Sequence, residues 1–188
     1  DSSVATVNPT TANPDVSVAA GTWINTLGSL AWEKRDGNGA LLGGAIFLLA
    51  GPGGLSLTIL DNDASDADKD NGQFKVNGLK LGDYTVTETI APAGYVMDTT
   101  PRSATLTAAV ADVEITTDFV NTLGSLAWVK KDAKGNLLGG ATFSVTGPFA
   151  YSVSVTDNTG LDADPVAGQF KLLGLKLGTY TVTETAAP

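Results

Sequence analysis

The sequence predicts an all-β chain of tandem β-sandwich domains. Three observations predict it. Apolar and polar residues alternate with period two through Thr- and Val-rich runs, the pattern of half-buried strands. Gly, Asn, Asp and Pro break those runs, and a helical period is nearly absent. The octapeptide NTLGSLAW occurs at 25–32 and again at 121–128, an offset of 96 residues. That offset also carries LLGGAIF onto LLGGATF and GQFKVNGLKLGDYTVTETIAP onto GQFKLLGLKLGTYTVTETAAP without a net gap. A period of 96 is too long for a solenoid unit and is the size of one small domain.

The elements follow in order. Leu30, Trp32 and Lys34 share one face of a first strand, with Ala31, Glu33 and Arg35 on the other. DGNG at 36–39 is a turn, as is DAKG at 132–135. The DYTVTET run places Tyr84, Val86 and Glu88 on one face, and DVEITTDFVN places Val113, Ile115, Phe119 and Asn121 on one face. Trp32 and Trp128 lie on inward faces and are expected in the cores. After Glu88 the first repeat runs on to Asn121, whereas only four residues follow Glu184. The second domain is therefore expected to lack its closing strands. Residues 1–25 supply a counterpart: DVSVAAGTWIN at 15–25 parallels DVEITTDFVN at 112–121, and SVATV at 3–7 resembles SATLT at 103–107. The predicted boundaries are donor strands at 1–25, a complete domain at 26–121 and an open one at 122–188.

Composition narrows the function. With 43% hydrophobic residues the chain is a folded one, and its net charge of −9 argues against nucleic acid and anionic membrane surfaces. No apolar run is long enough to span a bilayer. The first residues show no basic, apolar leader, so a secretion signal, if there was one, is expected to have been removed. Cysteine and histidine are absent, which removes disulfides, thiolate chemistry and the commonest general base. Domains this small often need a staple, and here it must be something other than a disulfide. LLGGA lacks the strand–loop–helix context of a phosphate loop, and no cofactor is expected.

Three polar residues break the buried faces: Lys34, Glu88 and Asn121. Each would be costly if buried alone, so the sequence predicts that they meet. Desolvation favours uncharged forms, and a neutral lysine amine is a nucleophile. A carboxyl between it and a carboxamide can shuttle protons. Attack of the amine on the asparagine carboxamide would expel ammonia and leave an isopeptide bond, with proximity supplying the rate.

KRDGNGALLGGAIF, GQFKVNGLKLGDYTVTETIAPAGY and DFVNT together resemble the Cna B-type domains of Gram-positive surface proteins and pilins. The resemblance covers 26–121 fully and 122–188 up to the glutamate strand. It implies a transthyretin-like sandwich, an isopeptide between Lys34 and Asn121, and Glu88 as its catalyst. In the second repeat it implies Lys130 and Glu184, with Lys131 outward; the sequence departs from the family there in having no asparagine strand. Asn25 stands where the repeat places the bonding asparagine. Residues 1–25 of one subunit are thus a candidate donor for the 122–188 domain of another, with Trp23 as core plug, Asn25 bonded to Lys130, and a head-to-tail homopolymer as the product. A fragment trimmed from a longer array is the equal alternative. The expected role is structural, in an extracellular filament or cell-surface stalk. An adhesin binding a host or matrix ligand is the alternative, and a turnover enzyme is not expected.

The stretch DNDASDADKDNG at 61–72 raises calcium, with Asp66, Asp68 and Asp70 as weak metal candidates. Counted from Asp66, the sixth and twelfth positions of an EF-hand loop are Asn71 and Asn77 instead of Gly and Glu. A solvated, exposed acidic loop is the expectation.

Overall fold

The computed structural model describes residues 26–188. The first repeat forms seven strands: β1 (Gly28–Asp36), β2 (Ile46–Gly51), β3 (Leu55–Leu60), β4 (Gln73–Leu79), β5 (Gly82–Ile90), β6 (Arg102–Leu106) and β7 (Asp112–Asn121). They make two sheets, ordered β4-β1-β7 and β3-β2-β5-β6. All pairings are antiparallel except β1 with β7, which is parallel. The second repeat forms β8 (Gly124–Val129), β9 (Thr142–Thr146), β10 (Ser152–Thr156), β11 (Gln169–Leu175) and β12 (Thr181–Ala186). These reproduce β1 to β5 as sheets β11-β8 and β10-β9-β12. The donor strands proposed at 1–25, including Trp23 and Asn25, lie outside the described residues.

The period-two pattern produces the cores. In β1, Leu30, Trp32 and Lys34 are all buried, as the alternation requires. Trp32 stacks on Phe74 at 5.4 Å and meets the edge of Phe47 at 5.6 Å. Phe47 also contacts Phe119 at 4.7 Å, which ties β2 to β7. The second repeat rebuilds the same trio: Trp128 stacks on Phe170 at 5.1 Å, with Phe143 edge-on at 5.6 Å. Among the described residues no strand takes the place of β7 there, and Trp128 is only part-buried.

In the first repeat, a side chain at Gly28 would collide with the carbonyl of Ala111 and with Leu106, so the β6–β7 segment lies directly on the start of β1. At the equivalent place in the second repeat a groove of about 200 Å³ opens, lined by Gly124, Leu126, Leu175, Leu177 and Tyr180 among others.

The acidic loop departs from expectation. Asp66 is buried, with 1% of its surface exposed. Its carboxylate accepts the backbone N–H groups of Asn62, Asp68 and Lys75. Asp162, one repeat later, accepts those of Asn158, Asp164 and Lys171. Asp61 and Asp157 likewise hold the glycine amides, Gly44 with Gly72 and Gly140 with Gly168. The physical reason is that a turn-rich loop leaves backbone donors unpaired, and short carboxylates satisfy them. Burial pushes the Asp66 carboxyl up despite these bonds. Asp66, Asp68 and Asp70 do not converge, and among the described residues no three acidic groups stand as a metal cluster.

Candidate functional site

Three elements of the first repeat place one polar side chain each in the aromatic core. β1 contributes Lys34, β5 contributes Glu88 and β7 contributes Asn121. All three are buried: Lys34 and Asn121 are 0% exposed and Glu88 is 2% exposed. The parallel pairing sets Lys34 beside Phe119 and Asp36 beside Asn121. On β7 Phe119 stands four positions after Ile115, whereas their partners Trp32 and Lys34 stand two positions apart. The strand therefore bulges there. Because the excess is even, Phe119 and Asn121 keep the inward parity of Ile115, while Thr117 is left exposed.

The glutamate bridges the other two. Its Oε1 lies 3.8 Å from Lys34 Nζ. Its Oε2 accepts a hydrogen bond from the carboxamide nitrogen of Asn121 at 2.8 Å and another from the backbone N–H of Asp98 at 2.8 Å. Asn121 Nδ2 also donates to the Val96 carbonyl at 2.8 Å. Lys34 Nζ donates to the Phe119 carbonyl at 2.9 Å. Two buried oxygens, Glu88 Oε1 and Asn121 Oδ1, have no hydrogen-bond partner. Burial lowers the Lys34 amine to about 8, against the opposing pull of Glu88 and Asp98. A neutral amine is thus accessible near physiological pH. The carboxylate spans a nucleophile on one side and a carboxamide nitrogen on the other.

The second repeat brings together only two of its predicted residues. Lys130 Nζ and Glu184 Oε2 form an ion pair at 2.7 Å, with 23% and 32% of their side chains exposed. Lys131 is exposed, as predicted. Asn25 lies outside the described residues, so its position relative to this pair is not part of the geometry.

Sequence reasoning missed Val96, Asp98 and Arg102, which line the first site. Asp98 Oδ2 accepts from Arg102 Nη2 at 2.7 Å and from Val120 N at 3.2 Å. Arg102 Nη2 also donates to the Asp118 carbonyl, and its guanidinium lies 4.5 Å from the centre of the Phe119 ring. Comparison of the repeats could not point to these residues, since their counterparts would fall beyond Pro188. The remaining signal was the pair of opposite charges four apart, Asp98 and Arg102, in a segment short of other charge.

Known proteins share this architecture. The chain superposes on the Bacillus anthracis TIE protein with a TM-score of 0.57 at 24% identity, over 86% of this chain and 28% of that one. It superposes on a C-terminal fragment of the pilus adhesin SpaC from Lactobacillus rhamnosus GG with a TM-score of 0.50 at 16% identity, over 87% and 76%. A streptococcal ancillary pilin aligns at 25% identity with a TM-score of 0.41, over 86% and 54%. The chain thus spans about a quarter of the first of these proteins and about half of the third. No curated protein sequence matches it. The SpaA prealbumin-like fold domain matches residues 28–120 and again 124–188. Both repeats are accounted for by that one domain type, so the chain belongs to the SpaA prealbumin-like fold domain family.

Proposed function

We propose that this chain is a structural module of a cell-surface filament or stalk, and that its first domain is closed by an isopeptide bond between Lys34 and Asn121. The observation that carries the reading is the buried bridge of Glu88 between the other two side chains. Family membership and the fold shared with a pilus adhesin support the location. The lone pair of neutral Lys34 Nζ attacks Cγ of Asn121. Glu88 takes a proton from the amine and delivers one to the departing carboxamide nitrogen. The Cγ–Nδ2 bond breaks, the Nζ–Cγ bond remains and one ammonia leaves. The group consumes itself, so no turnover follows. Intact-mass measurement tests this: the protein should be one ammonia lighter than its sequence, and Glu88→Ala should regain the full mass. A wild-type mass equal to that of the sequence rejects the bond.

A second reading is favoured by the groove beside β8. Its counterpart in the first repeat is filled by β6 and β7. Residues 1–25 carry a β7-like sequence, and we infer that they enter this groove on a second copy. Asn25 would then meet Lys130 and Glu184, and the product would be a covalent head-to-tail polymer. On a boiled denaturing gel the protein should run as a ladder, which Asn25→Ala and Lys130→Ala should each collapse to monomer. Wild-type protein running only as monomer, with the first-domain bond complete, rejects the polymer.

A further inference from the structure

We propose that Asp98 is a positioning residue for the condensation, holding the segment 96–98 as a strap that fixes the orientation of both Glu88 and Asn121. This rests on the isopeptide reading above. The strap touches the site at two backbone atoms. The Asp98 N–H holds Glu88 Oε2, and the Val96 carbonyl holds Asn121 Nδ2. With Nδ2 bound on both sides, the carboxamide is fixed with its nitrogen toward the carboxylate and its oxygen free. That is the orientation in which the carboxyl can protonate the leaving nitrogen.

The Asp98 side chain ties down one end of the strap; at the other end the Val96 N–H donates to the carbonyl of Thr122, the residue after Asn121, at 2.9 Å. The Asp98 carboxylate accepts from the backbone of Val120, the residue next to Asn121, and from the guanidinium of Arg102. Arg102 is itself anchored on the Asp118 carbonyl and the Phe119 ring. Strap and asparagine strand are thereby locked to one another on both sides of the reacting group. Burial pushes the Asp98 carboxyl up, but bonds from Thr100 and Arg102 outweigh it and hold the group below its ordinary value. The second repeat supplies a contrast within the same chain. Among the described residues no strap faces Glu184, and there the glutamate closes directly onto its lysine at 2.7 Å, against 3.8 Å in the first repeat.

The test follows the nascent full-length chain. Protein is made by cell-free synthesis, stopped at intervals, and read by intact mass for loss of ammonia. Folding is read in parallel by the fluorescence of the core tryptophans. Asp98→Ala should fold at the wild-type rate but lose the first-domain ammonia roughly tenfold more slowly or worse. Asp98→Asn keeps an oxygen for Val120 and loses the ion pair with Arg102, so its rate should fall between the two. A purely structural role would move folding and linkage together. If Asp98→Ala links as fast as wild type, the positioning role is overturned while the isopeptide reading stands. If Asp98→Ala does not fold, Asp98→Asn decides: a rate within twofold of wild type overturns the role, and a larger deficit in a folded protein supports it. A wild-type chain that never loses ammonia overturns both.

Discussion

Nζ of Lys34 stands 3.8 Å from Oε1 of Glu88, and neither side chain touches solvent. Buried pairs of this kind are poor sources of stability, because desolvation offsets the attraction. Retaining one in the middle of an aromatic core makes sense if it serves chemistry. The first prediction is that the unlinked domain is substantially weaker than the linked one. Glu88→Ala should lower the unfolding free energy by about 2–5 kcal/mol, the range for loss of a covalent staple. Urea denaturation of mass-verified linked and unlinked protein measures it. Equal midpoints would show that the bond, even if present, contributes nothing.

A pH dependence follows from the lowered Lys34 amine. In Asn121→Ala the amine cannot be consumed and its linkage to folding can be read. Its folded pKa of about 8 lies below the ordinary lysine value of 10.5. Between those values the unfolded chain holds a proton that the folded chain has released, so stability should rise with pH across that window. Below about pH 8 both states are protonated and this group contributes no slope. In wild type, linkage needs the neutral amine, so it should run roughly tenfold faster at pH 9 than at pH 7. Thermal melts and timed mass spectra over pH 7 to about 10.5 check the two signs.

The buried carboxylates of the acidic loops should behave as structural residues. Asp66→Ala would leave three backbone N–H groups without their acceptor. The expected cost is about 2–4 kcal/mol. Asp162→Ala should weaken the second repeat in the same way. Millimolar calcium should leave the melting temperature of wild type unchanged, since a native-state ligand must raise it. A rise of several degrees, reversed by chelator, would reinstate a metal site.

Gly51 should tolerate no side chain. A Cβ there would meet the ring of Tyr84, whose hydroxyl donates to the Lys80 carbonyl at 2.7 Å. Gly147 stands in the same relation to Tyr180, which donates to Lys176. Gly51→Ala must displace the tyrosine and should cost about 1–3 kcal/mol. Tyr84→Ala in the same background should recover part of that cost, and strictly additive effects would show that the ring is not what the methyl meets.

The strand faces were legible because period-two alternation fixes which side chains turn inward, and it needs no knowledge of strand partners. That is why Lys34, Glu88 and Asn121 could be grouped from sequence. The parallel pairing of β1 with β7 was not legible, since parity says nothing about which strand lies alongside. The bulge that leaves Thr117 outward was equally hidden, because an even insertion preserves the pattern on either side. Asp66 was misjudged for another reason. Its partners are backbone amides, which every residue carries, so no side-chain signature distinguishes a buried loop carboxylate from a solvated one. Asp98 and Arg102 were visible as charges, but their roles depend on the placement of Val120 and Asp118 in space.

The parallel register of β1 and β7 has a consequence for a protein under tension. The chain enters the first domain at the start of β1 and leaves it at the end of β7, so the two exits point in opposite directions along one strand pair. Pulling on them drives the strands lengthwise past each other. The rungs from Ser29–Asp112 to Asp36–Asn121 then share the load together and do not peel one at a time. An amide between Lys34 and Asn121 would shorten the route further. The pull would pass from β1 directly to the end of β7, and residues 35–120 would hang off the load path as an unstretched loop.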